Sequence, residues 1–116
     1  YVFGGSGNDL VSGNAGNGWD QLFGHQGNDL LVGGPGSDDF IFRDGDGNDT
    51  IRDFDANNNA EDIILRGVTG ITSFADLSAN HMSQVGTSVV IEDGAGLTIT
   101  LLNVDIADLG AGDFIF

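Results

Sequence analysis

Aspartates stand at positions 9, 20, 29, 38 and 49, and an apolar residue follows two places after each, at 11, 22, 31, 40 and 51. Both series advance in the same steps of 11, 9, 9 and 11 residues. Each aspartate closes a glycine-rich segment, as in Gly4-Gly5-Ser6-Gly7-Asn8-Asp9 before Leu10-Val11-Ser12. Glycines at alternating positions adopt backbone conformations closed to other residues, so such a segment is expected to curl and point carbonyl groups inward. The residues after the aspartate form a very short strand whose middle side chain points to the interior. Two repeats then make one full turn of a flattened right-handed coil, and each repeat stacks on the next but one. Counting back nine residues places Val2 on the apolar series, so the chain is expected to begin inside an earlier repeat and to be part of a longer protein.

Charge decides what such a coil needs. Three arginines, Arg43, Arg52 and Arg66, face 18 acidic residues, for a net charge of −15. Self-repulsion of this size opposes a compact state. Yet 40% of the residues are hydrophobic, too many for a disordered acidic tail. A cation is therefore expected to be part of the fold. Nucleic acid and anionic membrane surfaces are poor partners for a chain with so few basic groups. Carboxylates and carbonyls are hard oxygen ligands, which favours calcium. With no cysteine in the chain, disulfides and thiolate metal sites are excluded. No apolar run reaches the length of a membrane span.

The segments resemble the repeats-in-toxin (RTX) nonapeptide Gly-Gly-x-Gly-x-Asp-x-U-x, where U is a large apolar residue. Gly4 to Ser12 and Gly33 to Ile41 match it in full. Asn14 and His25 replace the second glycine, Asp44 replaces a first glycine, and Gly18-Trp19 is an insertion before Asp20. The resemblance implies an all-β fold: a right-handed parallel β-roll over residues 1–52, then a β-rich C-terminal cap over 53–116 with one or two short helical turns. It implies calcium ligands from the side chains of Asp9, Asp20, Asp29, Asp38 and Asp49. The backbone carbonyls of Gly5, Gly7, Gly16, Gly27, Gly34, Gly36 and Gly47 complete the set. Stacking alternate repeats gives three inter-repeat sites, and about three to five ions in all.

After Ile51 the glycines thin out. Asp53-Phe54 and the later Asp62-Ile63-Ile64-Leu65 resemble the segment that follows RTX repeats in serralysin-type proteases and alginate epimerase modules. In that setting Asp53 and Asp62 are expected to bind a further ion. Ser73 is expected to cap a short helix from Phe74 to Asn80, with Asp76 as its capping-box partner. Thr87 to Glu92 and Leu97 to Leu102 read as a hairpin around the turn Asp93-Gly94-Ala95-Gly96. Phe74 to Ala79 and Ile106 to Ala111 are alike, which predicts a second helical turn. The terminal Asp113-Phe114-Ile115-Phe116 reads both as a closing strand and as a signal for type I secretion.

Other chemistry finds little support. The aspartates as plain turn residues would require five in-phase coincidences. Asp44-x-Asp46-x-Asn48 resembles an EF-hand start, but Asp49 stands where that motif needs glycine. His25 and His81 have no catalytic partners in the sequence, and Trp19 is expected to pack on the flank of the roll. The fragment is expected not to be an enzyme. Its expected role is a calcium-dependent folding and secretion module of a secreted bacterial protein, extracellular and stabilising an upstream protease, lipase, polysaccharide lyase or epimerase. The rival reading is a polysaccharide-binding module, alginate-like in its ligand, which a basic face would favour.

Overall fold

The repeats form strands only two to five residues long, because glycine loops interrupt them on both sides. The computed structural model describes residues 1–13, 18–58 and 60–116. In chain order the repeat strands are β1 (Val2–Phe3), β2 (Leu10–Ser12), β3 (Gln21–Phe23), β4 (Leu30–Val32), β5 (Asp39–Arg43) and β6 (Asn48–Ile51). Odd strands pair in parallel in one sheet and even strands in a second, so the chain alternates between sheets at every loop.

Register fixes the core. In the first sheet Val2, Leu22 and Phe40 are direct neighbours, and in the second Val11, Leu31 and Ile51. Leu22, Leu31, Phe40 and Ile51 are completely buried between the sheets. These are the residues of the apolar series, so the period-two alternation of a strand is at work in segments of three. One such side chain per nonapeptide is a thin core, and it cannot by itself offset the entropy of ordering the loop around it.

The second half extends both sheets without a break in the core. Strand β7 (Asp62–Gly67) lies parallel to β5, with Ile63 beside Phe40. Next come a helical turn, α1 (Phe74–Asp76), continuing as a wider π-helical turn over Leu77–His81, and strands β8 (Met82–Val85), β9 (Ser88–Glu92) and β10 (Thr98–Leu101). These strands form an antiparallel meander whose last member lies parallel to β6, with Leu101 beside Ile51. Strand β11 (Phe114–Ile115) closes the first sheet against β7.

The hairpin therefore forms where the sequence places it. Asp93 secures its turn, accepting the Ala95 and Leu97 N–H groups on Oδ1 at 2.7 and 2.9 Å. Ser73 caps α1 by accepting the Asp76 N–H at 3.1 Å. The return bond lands one residue early, from Thr72 N–H to Asp76 Oδ2. The second helical turn is Ile106–Asp108, capped by Asp105. Strand β8 had no sequence expectation, because Met82-Ser83-Gln84-Val85 is an edge strand with mostly exposed side chains and no apolar alternation. Among the described residues no helix is long and apolar enough to cross a membrane.

Candidate metal centre

The loops stack in two columns, one on each side of the roll. Gly4–Asp9, Gly24–Asp29 and Asp44–Asp49 form the first, and residues 33–38 with the described residues of 13–20 and of 53–61 the second. Backbone hydrogen bonds join successive levels. In the first column Gly7 N–H donates to Gln26 O at 3.0 Å and Gly27 N–H to Asp46 O at 3.1 Å. Gly27 has φ +136°, and a methyl group on it would overlap the Gly7 carbonyl. Glycine is therefore required there on two grounds, conformation and contact.

The aspartate carboxylates divide their labour. Asp29 Oδ1 accepts the Asp9 N–H at 2.8 Å, Asp49 Oδ1 the Asp29 N–H at 2.9 Å, and Asp38 Oδ1 the Asp20 N–H at 3.1 Å. One carboxylate oxygen of each thus ties its level to the one before. The Oδ2 atoms of Asp9, Asp29, Asp38 and Asp49 are buried and have no hydrogen-bond partner. Leaving a charged oxygen in this state costs about 1–3 kcal/mol or more.

Those of Asp9, Asp29 and Asp38 point back over the first glycine of their own loop. A Cβ on Gly24 would lie 2.6 Å from Asp29 Oδ2, and one on Gly33 would lie 2.5 Å from Asp38 Oδ2. A Cβ on Gly4 would lie 3.2 Å from Asp9 Oδ2 and 2.7 Å from the Gly24 carbonyl oxygen, so both oxygens border Gly4. A Cβ on Gly13 would lie 2.7 Å from Asp20 Oδ2 and 2.5 Å from the Gly33 carbonyl oxygen, so both oxygens border Gly13. Carboxylate and carbonyl oxygens brought together from two levels are the hard donors that calcium takes.

Electrostatics agree. Burial, with the charges of Asp29 and Asp46, pushes Asp49 up to about 7. Burial, with Asp53, Asp38 and Asp55, pushes Glu61 up to about 8. Burial also raises Asp38, helped by Asp20, Asp53 and Asp39. Each group resists ionisation where it sits, and a divalent cation relieves both causes at once.

The structure sorts the residues singled out from the sequence. Asp9, Asp29, Asp49, Gly5, Gly7, Gly27 and Gly47 lie in the first column, and Asp20, Asp38, Gly34 and Gly36 in the second; Gly16 lies outside the described residues. At the last level of the first column, and between the last two levels of the second, a carbonyl meets a protein donor. Gly47 O accepts the Thr98 N–H at 2.9 Å, and Gly36 O accepts Asn58 Nδ2 at 3.0 Å. The Asp53 carboxylate accepts the Gly33 and Gly34 N–H groups at 2.9 and 2.8 Å.

Asp62 is not at the loop position. It is the strand neighbour of Asp39, and Phe40 and Ile63 next to them face the core, so Asp39 and Asp62 lie on the sheet's other face, Asp39 buried and Asp62 half-buried. Glu61 instead occupies the place of Asp20 and Asp38, because the Asp62 N–H donates to Asp38 O just as the Asp39 N–H donates to Asp20 O. The signal was in the sequence: two places before the core residue Ile63 stands Glu61. The carbonyls of Gly24 and Gly33 were also missed, since their role depends on contacts between levels.

The family described as RTX calcium-binding nonapeptide repeat matches residues 1–19 and 15–46, in four copies. Residues 1–46 are RTX calcium-binding repeats. Calcium is thus the cation for which the RTX loops are built. Similar solved structures include the extracellular lipase LipA from Serratia marcescens, at 21% identity and TM-score 0.72, covering 97% of this chain and 20% of the lipase. They also include two subunits of an Azotobacter vinelandii mannuronan C5-epimerase. The AlgE6R3 subunit has 26% identity and TM-score 0.59, covering 97% of this chain and 80% of that one. The AlgE6R2 subunit has 26% identity and TM-score 0.53, covering 93% and 86%. The chain therefore spans about a fifth of the lipase it resembles. No curated protein sequence matches it.

Proposed function

We propose that this chain is a calcium-triggered folding module of a secreted bacterial protein, with residues 1–52 as the metal-binding roll and 53–116 as the cap that closes it. The observation that carries this reading is the set of buried, unpartnered Oδ2 atoms on Asp9, Asp29, Asp38 and Asp49. Bound calcium supplies the positive charge that those oxygens and the adjoining carbonyls lack. The carboxylates orient through Oδ1 and leave Oδ2 for the metal. In a low-calcium cytoplasm the loops repel one another, and the chain stays unfolded and fit for export. Outside the cell, sites of the extracellular kind bind with dissociation constants of about 10⁻⁴–10⁻³ M, so folding follows release. The segment Asp113–Phe116 serves the unfolded chain as a type I secretion signal and the folded one as its closing strand. An upstream catalytic domain, of the protease, lipase, polysaccharide lyase or epimerase kind, gains stability from the folded roll; the likeness to part of a lipase supports this.

Circular dichroism across a calcium titration tests the reading. The expected result is a disordered spectrum in chelator that becomes β-rich with calcium. A β-rich spectrum indifferent to chelator would overturn it.

A second reading, glycan binding, draws on one feature. Phe3 stacks on Phe23, their ring centroids 4.9 Å apart. Such a platform suits sugar rings. Saturable binding in a titration with neutral and polyanionic glycans would favour it, and no response would remove it.

A further inference from the structure

Asn8, Asn28 and Asn48 stand one residue before the aspartates of the first loop column, and they form a ladder of their own. The Asn28 N–H donates to Asn8 Oδ1 at 2.8 Å, and the Asn48 N–H donates to Asn28 Oδ1 at 3.2 Å. The neighbouring aspartates bond in the opposite sense, from the Asp9 N–H to Asp29 Oδ1 and from the Asp29 N–H to Asp49 Oδ1. Each pair of adjacent residues therefore clamps successive levels in both directions, directly beside the inward Oδ2.

Taking calcium as the ligand of these loops, as proposed above, we propose that Asn8 and Asn28 are positioning residues: their side chains set the separation of successive loops and so the shape of the first-column calcium sites. Their Oδ1 atoms are engaged by backbone N–H groups and are not aimed at the metal. All three asparagines are exposed, so the ladder owes nothing to the apolar core. An amide suits the task better than a carboxylate in a chain of net charge −15, since it accepts the bond without adding to the repulsion.

The second column is built differently. Ser37 occupies the asparagine position there, and its N–H donates to the carbonyl of Gly18, in the insertion, at 3.4 Å. The aspartate bond from Asp20 to Asp38 is retained. Its levels are also unevenly spaced along the chain. Core neighbours Leu22 and Phe40 are 18 residues apart, and Phe40 and Ile63 are 23 apart. Both steps in the first column, Val11 to Leu31 and Leu31 to Ile51, are 20. The double clamp is thus a property of the first column among the described residues, and removing it should affect a subset of ions.

Asn48 provides an internal control. It ends the ladder: its backbone donates to Asn28, and its own side chain accepts no ladder bond, its neighbour on the next level being Thr98. The test is calcium release into a fluorescent chelator by stopped flow. The wild-type chain is compared with Asn8→Ala, Asn28→Ala, Asn28→Asp and Asn48→Ala, all folded at saturating calcium, with the ion count taken by calorimetry. In Asn8→Ala and Asn28→Ala one group of ions should leave about two- to tenfold faster while the rest keep the wild-type rate, the scale of one hydrogen bond. The ion count should not change. Asn48→Ala breaks no ladder bond and should release calcium as the wild type does; Asn28→Asp keeps the acceptor and adds a negative charge beside the cation, so it should release calcium no faster than the wild type. The proposal is overturned by unchanged release in Asn28→Ala, by equal acceleration of every ion, by a loss in Asn48→Ala as large as in Asn28→Ala, or by a lower ion count, which would make the side chain a ligand. A wild-type chain that takes up no calcium is a separate result: it overturns the calcium reading itself and this inference with it.

Discussion

The Asp9 N–H donates to Asp29 Oδ1 at 2.8 Å, across twenty residues of sequence, while Asp29 Oδ2 sits buried over Gly24 with no partner. One carboxylate thus builds the coil with one oxygen and charges it with the other. The same relationship joins Asp29 to Asp49. A coil assembled in this way carries its own requirement for a cation.

Replacing Asp29 by asparagine separates the two jobs. The amide oxygen still accepts the Asp9 N–H, but the charge is gone. Calorimetry should count fewer calcium ions than in the wild type, and the metal-free chain should be no less ordered by circular dichroism. Full calcium uptake by Asp29→Asn would mean that its carboxylate is not a ligand.

Glycine substitutions should rank by what they meet. Gly5 has φ +94° with open space around its Cα, so Gly5→Ala carries only backbone strain, about 1–3 kcal/mol. Gly27→Ala adds a collision with the Gly7 carbonyl, so it should need much more calcium to fold, with a midpoint at least about tenfold above that of Gly5→Ala. Equal midpoints would contradict the close stacking of the loops.

Glu61 and Asp62 make a second contrast. Glu61→Gln should relieve repulsion from Asp53, Asp38 and Asp55, raising the order of the metal-free chain and weakening calcium uptake. Asp62→Asn, on the outer face beside Asp39, should leave calcium uptake unchanged in calorimetry. The reverse pattern would return Asp62 to the site.

Acid should help the metal-free coil. Asp49 is raised to about 7 and Glu61 to about 8, above their ordinary values of 3.8 and 4.5. Between those limits the folded state binds more protons than the unfolded chain, so stability falls as pH rises. In chelator, order measured by circular dichroism should increase as pH is lowered from 8 toward 5. It should change little with further alkali above the raised values. An increase in order toward alkaline pH would contradict the buried, repelling environment of these acids.

Much of this was legible in the sequence, because two series ran in phase. The apolar residues at 11, 22, 31, 40 and 51 could only be one face of a coil, and the structure buries all five. The hairpin showed through Asp93-Gly94-Ala95-Gly96, whose turn chemistry is local. What escaped depends on contacts between levels. The carbonyls of Gly24 and Gly33 approach Gly4 and Gly13 only once loops twenty residues apart are stacked. Glu61 carries no aspartate signal, because the loop position is fixed by the register of Ile63 and not by residue type. Strand β8 left no pattern because an exposed edge needs none.

The most direct measurement is a crystal structure of the chain grown with calcium, with anomalous scattering used to locate the metal. The account predicts calcium density where Asp9 Oδ2 and the Gly24 carbonyl converge, and again where Asp20 Oδ2 and the Gly33 carbonyl meet. An ordered coil with no metal at those points would contradict it.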